Sequence, residues 1–488
     1  MKTLKTIQVI LVMSVLANWL SILFFSNYYD YGFESPSISS LIRISQSLPF
    51  ISEPGAIPVA ISGFSPFFYW LLAPIIHLLH LSKMESIALY GRICVTGILL
   101  AYCWLINRFY RKTFPSNYSK TGLILCLAWF AISFSGIVHS VRPDFLSFLF
   151  EFLGLTIMSK WLLEKPPGKR EVWIAGVFFG LAMAIKQNTI GFFLGSILFL
   201  ILEKKGWETL KLILSALSIV CVLFGLAYFQ DKSTLSYSLV ELRNSIYPFV
   251  NLAEVFSNLL RDLFKGQLVF LFLGLIGFYK IYLKNKRLGM LFTCSFSSSA
   301  IIATLEQAKL GGSHNYYFGF FMAFTVFAAI GILEIIHLKG NNAFKFGFSS
   351  ICIGVIVVQL YGLSISIGNI FFNERRNYPW DKVSHLLENK YPNAIVYSND
   401  PSAILHVYDR TLLKPLSENL LKAASGLHND LAQIKEGLRQ HPFTLAILSG
   451  KTCESWKPSG IFKDETHPLT QLKHKLGKIC IFGEEKDS

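Results

Sequence analysis

Charged residues are scarce in this chain of 488 residues, where they make up 15% of the sequence. Soluble domains carry roughly 25%, so the chain has too little polar surface to cover itself in water. Hydrophobic residues make up 52%, and the mean hydropathy is +0.47. These values exclude an ordinary soluble enzyme and predict a membrane protein.

The sequence also lacks the short motifs of several enzyme classes. It contains no P-loop, no zinc-ligand spacing, no nucleophile elbow and no dinucleotide-binding glycine pattern. Their absence argues against an ATP-driven pump and against a hydrolase of the soluble type. Internal repeats and low-complexity tracts are absent as well.

Acidic residues are fewer than basic ones, and the formal net charge is +15. In a soluble protein this excess would suggest a nucleic-acid partner. Here the basic residues stand in short clusters between apolar runs, which is typical of membrane topology. We therefore expect a membrane environment and no nucleic acid.

Apolar runs of about twenty residues, enough to cross a bilayer as a helix, recur along the chain. They predict a polytopic α-helical membrane protein with about eleven transmembrane helices. The predicted spans are 7–25, 88–106, 121–140, 145–163, 172–188, 189–202, 210–229, 267–283, 289–305, 317–336 and 346–368. A further run, 64–82, contains prolines and histidines, and we expect a juxtamembrane or re-entrant helix there rather than a span.

Lysines and arginines concentrate at one predicted end of the spans. They cluster at the N-terminus and in the loops 107–120, 160–171, 203–211, 279–288 and 337–345. The positive-inside rule places these loops in the cytoplasm. The N-terminus is then cytoplasmic, the long segments 26–86 and 230–266 lie outside, and the expected location is the cytoplasmic membrane.

Residues 369–488 differ from the transmembrane domain predicted over residues 1–368. They hold 16 basic and 14 acidic residues, a balance typical of a soluble domain. Short β-like runs at 394–397 and 444–448 flank a helix-like stretch at 417–439. This alternation predicts a small α/β domain, and an odd number of spans places it outside the cell.

Six of the eight cysteines fall in apolar runs, and only Cys453 and Cys480 fall in this C-terminal region. An oxidising exterior would permit a disulfide between the two thiols. Two unpaired thiols are the alternative.

Carboxylates gather at the predicted outer ends of the spans. Asp30 and Glu34 follow the first span, and Asp144 follows Arg142-Pro143 at the start of the fourth. Asp30 or Glu34 could act as a general base on an acceptor hydroxyl, or could help hold a divalent cation. Asp144 could orient a basic residue or an acceptor. The alternative for each is a solvated loop carboxylate or a helix cap.

Cations and amides gather at the same predicted end. Lys186-Gln187 follows a long apolar run, where the lysine could hold a phosphate as a point charge or extend to the interface. In Gly312-Ser313-His314-Asn315-Tyr316, the glycine lets the backbone approach a ligand. The side chains of His314 and Asn315 suit phosphate or sugar oxygens, although a plain turn would explain the segment too.

The order of these motifs resembles that of the GT-C superfamily of polytopic glycosyltransferases, especially members similar to protein O-mannosyltransferases and aminoarabinose transferase (family 39). The resemblance covers residues 1–368. Ser65-Pro66-Phe67-Phe68-Tyr69-Trp70 resembles a Pro-Pro-Leu-Tyr-Tyr segment, with Ser65 in place of one proline. The other matching pieces are Asp30 with Glu34, Gly91-Arg92, Arg142-Pro143-Asp144, Lys186-Gln187 and Gly312 to Tyr316.

Such enzymes transfer a sugar from a polyprenyl-phosphate carrier to a lipid, glycan or protein acceptor on the outer membrane face, and direct attack would invert the anomeric carbon. The resemblance implies that Asp30 or Glu34 is the base and that Asp144 supports the site. The residues implied to bind the donor phosphate are Lys186, Arg92, Arg142 and His314. Those implied to bind substrate are Gln187, Asn315, Tyr316 and Tyr69.

Two other functions remain open from the sequence. A transporter of lipid or oligosaccharide would place polar residues at mid-membrane in paired broken helices, whereas Glu151 is the main charge inside the predicted spans. A polysaccharide polymerase or ligase usually has a large loop with several arginines, and the segment 230–266 has only Arg243 and Arg261.

Overall fold

Helices dominate the computed structural model of the protein. It describes residues 2–25, 34–48, 65–81, 84–133, 140–164, 170–230, 268–307, 314–337, 354, 357, 360–365, 367, 380–391, 396–398, 411–413, 445–449, 471–476 and 479–483. In chain order the helices are α1 (Lys2–Phe25), α2 (Glu34–Ser45), α3 (Phe67–Leu78), α4 (Met84–Thr113), α5 (Lys120–Ser133), α6 (Asp144–Leu163), α7 (Glu171–Ile185), α8 (Gly191–Leu202), α9 (Gly206–Gln230), α10 (Leu268–Lys284), α11 (Lys286–Gln307), α12 (Phe318–His337) and α13 (Trp380–Lys390). Short 3₁₀ helices lie at Pro115–Asn117 and His314–Tyr317.

Five of the described helices are long and apolar enough to cross a membrane: α4, α6, α9, α11 and α12. Shorter apolar helices lie among them, within α1, α3, α5, α7 and α8. The prediction of a multi-pass helical membrane protein is therefore confirmed. The total of about eleven spans stays a prediction, and most of the last predicted span, 346–368, lies outside the described residues.

Helix α3 occupies most of the apolar run 64–82 that was expected not to span. It has 12 residues and contains Pro74, so it is about 18 Å long at 1.5 Å per residue. The hydrocarbon core of a bilayer is about 30 Å thick. A helix of this length does not cross it unaided.

The helical conformation is interrupted between α7 and α8, and the interruption places Lys186 at the end of α7. Helix α7 ends at Ile185, and Lys186 follows in an extended conformation with φ −146° and ψ 107°. Helix α8 then packs tightly on α11, since a Cβ at Gly195 would lie 2.2 Å from the Cα of Ser295. Only glycine permits two backbones to approach this closely. Gly195 thus permits the close packing of α8 on α11.

Two ion pairs lie at helix ends opposite to Lys186, near the end of α8, the start of α11 and the ends of α10 and α12. Arg287, at the start of α11, pairs with Glu203, which follows α8, and the distance is 2.6 Å. Lys280 near the end of α10 pairs with Glu334 at 3.0 Å. All four residues lie in or beside loops that the positive-inside pattern predicts to be cytoplasmic.

The described C-terminal residues include a five-stranded sheet. Its strands are β1 (Val396–Ser398), β2 (Thr411–Leu413), β3 (Leu445–Ser449), β4 (Gln471–Leu476) and β5 (Ile479–Gly483), in the order β2-β1-β3-β5-β4. Strand β1 runs parallel to β2 and β3, whereas β5 runs antiparallel to β3 and β4. Strands β1 and β3 overlap the two β-like runs of the sequence.

A separate extracytoplasmic domain over 369–488 stays a prediction. The helix-like stretch 417–439 and Cys453 lie outside the described residues. Cys480 lies in β5, but its side chain is outside the described part. Whether these cysteines pair is therefore left open.

Candidate active site

Glu34 and Arg92 form a buried ion pair between α2 and α4. Their side chains are 2% and 4% exposed. The Nε and Nη2 atoms of Arg92 donate to the two carboxylate oxygens of Glu34, each at 2.9 Å. Glu34 is also the first residue of α2, where the helix dipole stabilises a negative charge. The two-pronged geometry is the strongest that arginine and a carboxylate can form.

Asp144 and Lys186 form a second buried ion pair between α6 and the end of α7. Their side chains are 1% and 6% exposed, and Lys186 Nζ donates to Asp144 Oδ1. The N-cap position of α6 is held by Pro143, and Asp144 binds the lysine from the first helical turn. A lysine buried at this depth requires such a partner.

A short segment of backbone joins the two ion pairs. The backbone N–H of Val141 donates to Glu34 Oε1 at 3.1 Å, and Asp144 follows three residues later. Three residues span at most about 11 Å. The carboxylates of Glu34 and Asp144 therefore lie on the same side of the molecule, at the starts of α2 and α6. Arg142, which is 2% exposed, lies in this segment.

Two aromatic rings enclose the ammonium group of Lys186. The Nζ atom lies 4.8 Å from the ring centre of Tyr316 and 5.7 Å from that of Phe148. Both distances are within the range of cation–π attraction. Tyr316 belongs to the 3₁₀ helix that leads into α12, so the last residue of the predicted Gly312 to Tyr316 motif lies beside Lys186.

A small cavity of about 20 Å³ is lined in part by Phe148 and Tyr316, the two aromatic neighbours of Lys186. This volume is enough for about one water molecule. Its lining residues are Phe148, Glu151, Asn188, Thr189, Gly191, Ser299, Ile302, Ala303, Glu306 and Tyr316. Carboxylate, amide and hydroxyl groups thus continue from the Asp144–Lys186 pair into the space between α6, α8 and α11.

Hydrogen bonds hold the polar wall of this cavity in place. Asn188 Nδ2 donates to Glu306 Oε2 at 3.0 Å, and the backbone N–H of Phe192 donates to Glu151 Oε1 at 2.7 Å. Thr189 Oγ1 donates to the hydroxyl of Ser147 at 3.1 Å. The sequence pattern assigned no role to Ser147, Asn188 or Thr189. The one feature of the sequence that could have indicated them is their proximity to Asp144 or Lys186.

The other predicted site residues differ in how the structure places them. Tyr69, expected to bind substrate, is fully buried, and its hydroxyl donates to Ser37 Oγ at 3.0 Å. Gln187 is half-buried in the turn after Lys186. His314 and Asn315 open the 3₁₀ helix, but their side chains are outside the described part. Asp30 lies outside the described residues altogether.

A metal site was left open by the sequence. Among the residues that the structure describes, no three His, Cys, Asp or Glu side chains are grouped as metal ligands. Of the two predicted acids that follow the first span, Glu34 lies among the described residues and Asp30 does not. Participation of a divalent cation therefore stays a prediction.

A comparison with protein families identifies the family of the chain. The model of glycosyltransferase family 87 matches residues 64–357. This range includes every predicted site residue except Asp30 and Glu34. No curated protein matches the chain.

Solved structures of ArnT from Cupriavidus metallidurans share the fold. The structure bound to undecaprenyl phosphate aligns with a TM-score of 0.61 at 12% identity. The apo structure aligns with a TM-score of 0.62 at 13% identity. In both comparisons 97% of each chain is covered, so the likeness extends beyond the region that the family model matches.

Proposed function

The chain belongs to glycosyltransferase family 87, and from that premise we propose a specific reaction. The enzyme transfers a hexose or pentose from a polyprenyl-phosphate donor to an acceptor hydroxyl, with inversion at the anomeric carbon. The acceptor is a lipid, a glycan or a protein. The resemblance to the GT-C superfamily, drawn from the order of motifs, is confirmed by the family and by the shared fold of ArnT.

The observation that carries the proposal is the convergence of two buried ion pairs at one set of helix ends. Glu34–Arg92 and Asp144–Lys186 are joined through residues 141–144. Charges buried within membrane helices are costly and usually serve a function. The ArnT structure holds undecaprenyl phosphate, and that ligand supports a lipid-linked donor for the present chain.

We assign Lys186 to the donor phosphate. Departure of the polyprenyl phosphate leaves an additional negative charge on the phosphate oxygen. A lysine held in a water-poor site stabilises this charge more than water does, because no solvent reorganisation is needed during the reaction. Asp144 and the rings of Phe148 and Tyr316 hold the ammonium in place until the donor binds.

We assign the general base to Asp30. Both oxygens of Glu34 already accept hydrogen bonds from Arg92, and one also accepts from Val141. A carboxylate with these partners is poorly placed to take a proton from an acceptor hydroxyl. Asp30 lies four residues earlier in the same outer segment, so α2 and its ion pair would anchor the segment that carries the base.

The reaction side and the domain arrangement follow from the charge pattern. We propose that the ion pairs face the exterior of the cytoplasmic membrane and that the N-terminus lies in the cytoplasm. The transmembrane enzyme domain then comprises 1–368, with outer segments 26–86 and 230–266 above the site. Residues 369–488 form an extracytoplasmic α/β domain.

Cysteines placed at Lys112 and Lys286, in a chain whose eight native cysteines are replaced by alanine, test this orientation. A membrane-impermeant maleimide added to intact cells is expected to leave both unlabelled, because both belong to clusters assigned to the cytoplasm. A cysteine at Leu48, which is 40% exposed, should be labelled from outside. Permeabilised cells should show all three labelled. Labelling of Lys112→Cys and Lys286→Cys, but not Leu48→Cys, in intact cells would invert the orientation.

The reaction itself is tested with the full chain in lipid vesicles and a panel of radiolabelled polyprenyl-phosphate hexoses and pentoses. Expected products are free polyprenyl phosphate and a glycosylated acceptor in equal amounts, with the anomeric configuration inverted. Vesicles that carry the Asp30→Ala/Glu34→Ala variant should form neither. Donor that crosses the bilayer intact would favour the transporter. Growth of a sugar polymer on the lipid would favour the polymerase or ligase.

A further inference from the structure

We propose that Ser65 is a positioning residue that directs Lys186 into the site. The role in catalysis rests on the assignment of Lys186 to the donor phosphate. Ser65 is 3% exposed and precedes α3. Its hydroxyl donates to the carbonyl oxygen of Ile185 at 2.8 Å and lies 2.5 Å from that of Ala184. It therefore contacts the two residues directly before Lys186, although 120 residues separate it from Ile185.

The end of α7 needs such a donor because the helix stops inside the protein. The last carbonyl groups of any helix lack partners within the helix. Ala184 and Ile185 are 0% and 2% exposed, so solvent is not at hand to satisfy their carbonyls. Lys186 leaves the helix in an extended conformation. The hydroxyl of Ser65 stabilises this break at the position where the chain changes direction.

Ser65 can act as an anchor because α3, the helix that it precedes, is fixed to two others. Tyr69 donates to Ser37 on α2 at 3.0 Å, and Tyr90 on α4 donates to the Leu72 carbonyl at 3.2 Å. Helices α2 and α4 also carry the Glu34–Arg92 pair. Helix α3 thus ties the geometry of one ion pair to that of the other.

The position of Lys186 depends on this anchor because its ammonium group must make three contacts at once. It must reach Asp144 while it lies between Phe148 and Tyr316. A small shift in the end of α7 separates these groups, and cation–π attraction and ion pairing both weaken with distance. The first proline of the similar Pro-Pro-Leu-Tyr-Tyr segment has no side-chain donor. In this chain Ser65 supplies a hydroxyl donor at that position.

The first test measures the position of Lys186 without any sugar transfer. The purified full chain is treated with an acylating reagent for amines, and the labelling rate of each lysine is followed by peptide mass spectrometry. Loss of one hydrogen bond changes an equilibrium about five- to tenfold, so Ser65→Ala should raise the labelling rate of Lys186 by about that factor. Ser65→Thr keeps the hydroxyl and should restore the slow rate.

A matched control is Ser159→Ala. Ser159 is 1% exposed and donates to the Leu155 carbonyl at 2.8 Å within α6. Its loss removes a buried bond from a serine hydroxyl to a carbonyl that does not involve the end of α7, so labelling of Lys186 should not change. If Ser65→Ala fails to fold, Ser65→Cys provides a weaker donor and should give an intermediate labelling rate.

The second test measures transfer. Ser65→Ala is expected to lower kcat for the lipid-linked donor about five- to tenfold, the value of one hydrogen bond, with KM changed less than kcat, because Lys186 acts on the charge that develops as the phosphate departs. Combined with Lys186→Met, the serine substitution should add little, because its effect passes through the lysine.

The two proposals fail separately. Unchanged labelling of Lys186 in Ser65→Ala, or equally faster labelling of exposed Lys160 and Lys280, overturns the positioning role whatever the activity. Faster labelling of Lys186 alone in Ser65→Ala supports the positioning role. If the wild-type chain also consumes none of the donors, the proposed function is removed while the positioning role stands.

Discussion

Replacing Lys186 with methionine is expected to lower kcat/KM for the lipid-linked donor by roughly 10²–10³-fold, the usual loss when a preorganised group that stabilises developing negative charge is removed. Methionine keeps the length and apolar character of the lysine stem. The variant lacks the ammonium group that we assign to the leaving phosphate. Steady-state transfer in vesicles, with donor concentration varied, measures the effect.

The same substitution also removes a structural partner, so stability must be measured beside activity. Asp144 is 1% exposed, and breaking a buried ion pair at one side costs about 3–5 kcal/mol. Part of any loss of activity in Lys186→Met will therefore reflect fewer folded molecules. Thermal unfolding in detergent gives this part directly.

The double variant Lys186→Met/Asp144→Leu separates the two contributions. Replacement of a whole buried ion pair by apolar groups is often neutral or stabilising, so the double variant should recover much of the lost stability. Activity should stay roughly 10²–10³-fold down, because the phosphate still lacks its cation. Recovery of activity together with stability would mean that the pair only supports the fold.

Lys280→Met is the matched control for the loss of one lysine. Lys280 also pairs with a glutamate, Glu334, but it is 49% exposed and lies at the far helix ends. Exposed ion pairs contribute about 0–1 kcal/mol. Both stability and transfer should therefore stay close to those of the wild type.

The membrane class could be predicted from the sequence because the bilayer allows few solutions. Every backbone polar group in the hydrocarbon core must be paired, so long apolar runs become helices. The runs at 88–106, 145–163, 210–229 and 289–305 each lie within a helix long enough to cross a bilayer, and the run 317–336 does so apart from its first residue, Tyr317. The end of α7 at Ile185 was harder to predict, because the predicted span 172–188 continues three residues past it and the break depends on a distant serine.

The composition of the site could be predicted, but its pairing could not. Ionisable residues are costly in the membrane, which alone draws attention to Glu34, Arg92, Asp144 and Lys186. The partners are 58 and 42 residues apart in sequence. Helices that are apolar on every side give no period from which to infer which faces meet. Which carboxylate binds which cation therefore depends on helix packing that the sequence pattern does not contain.

Separate substitutions of Asp30 and Glu34 decide which of the two is the base. Asp30→Asn is expected to lower kcat by roughly 10²–10⁴-fold, the usual contribution of general acid–base catalysis. Its stability should match the wild type, provided that the carboxylate acts on the acceptor rather than on a buried partner. Transfer rates at saturating donor, together with thermal unfolding, measure both quantities.

Glu34→Gln is expected to behave in the opposite way. The substitution leaves Arg92, which is 4% exposed, without a carboxylate, and an unpaired buried charge costs about 3–5 kcal/mol. Activity should fall in proportion to the folded fraction. Glu34→Gln/Arg92→Met removes both charges and should recover stability, with transfer by the folded molecules restored to a large degree.

Recovery of transfer activity on adding Arg92→Met therefore distinguishes a general base from a residue that only anchors the fold. A base cannot be replaced by removing a cation elsewhere, so Asp30→Asn should stay inactive when Arg92→Met is added. The reverse pattern, an active Asp30→Asn and a stable but inactive Glu34→Gln/Arg92→Met, would assign the base to Glu34. That result would require the Glu34 carboxylate to leave Arg92 before it accepts the proton, since both of its oxygens are bonded to the guanidinium in this structure.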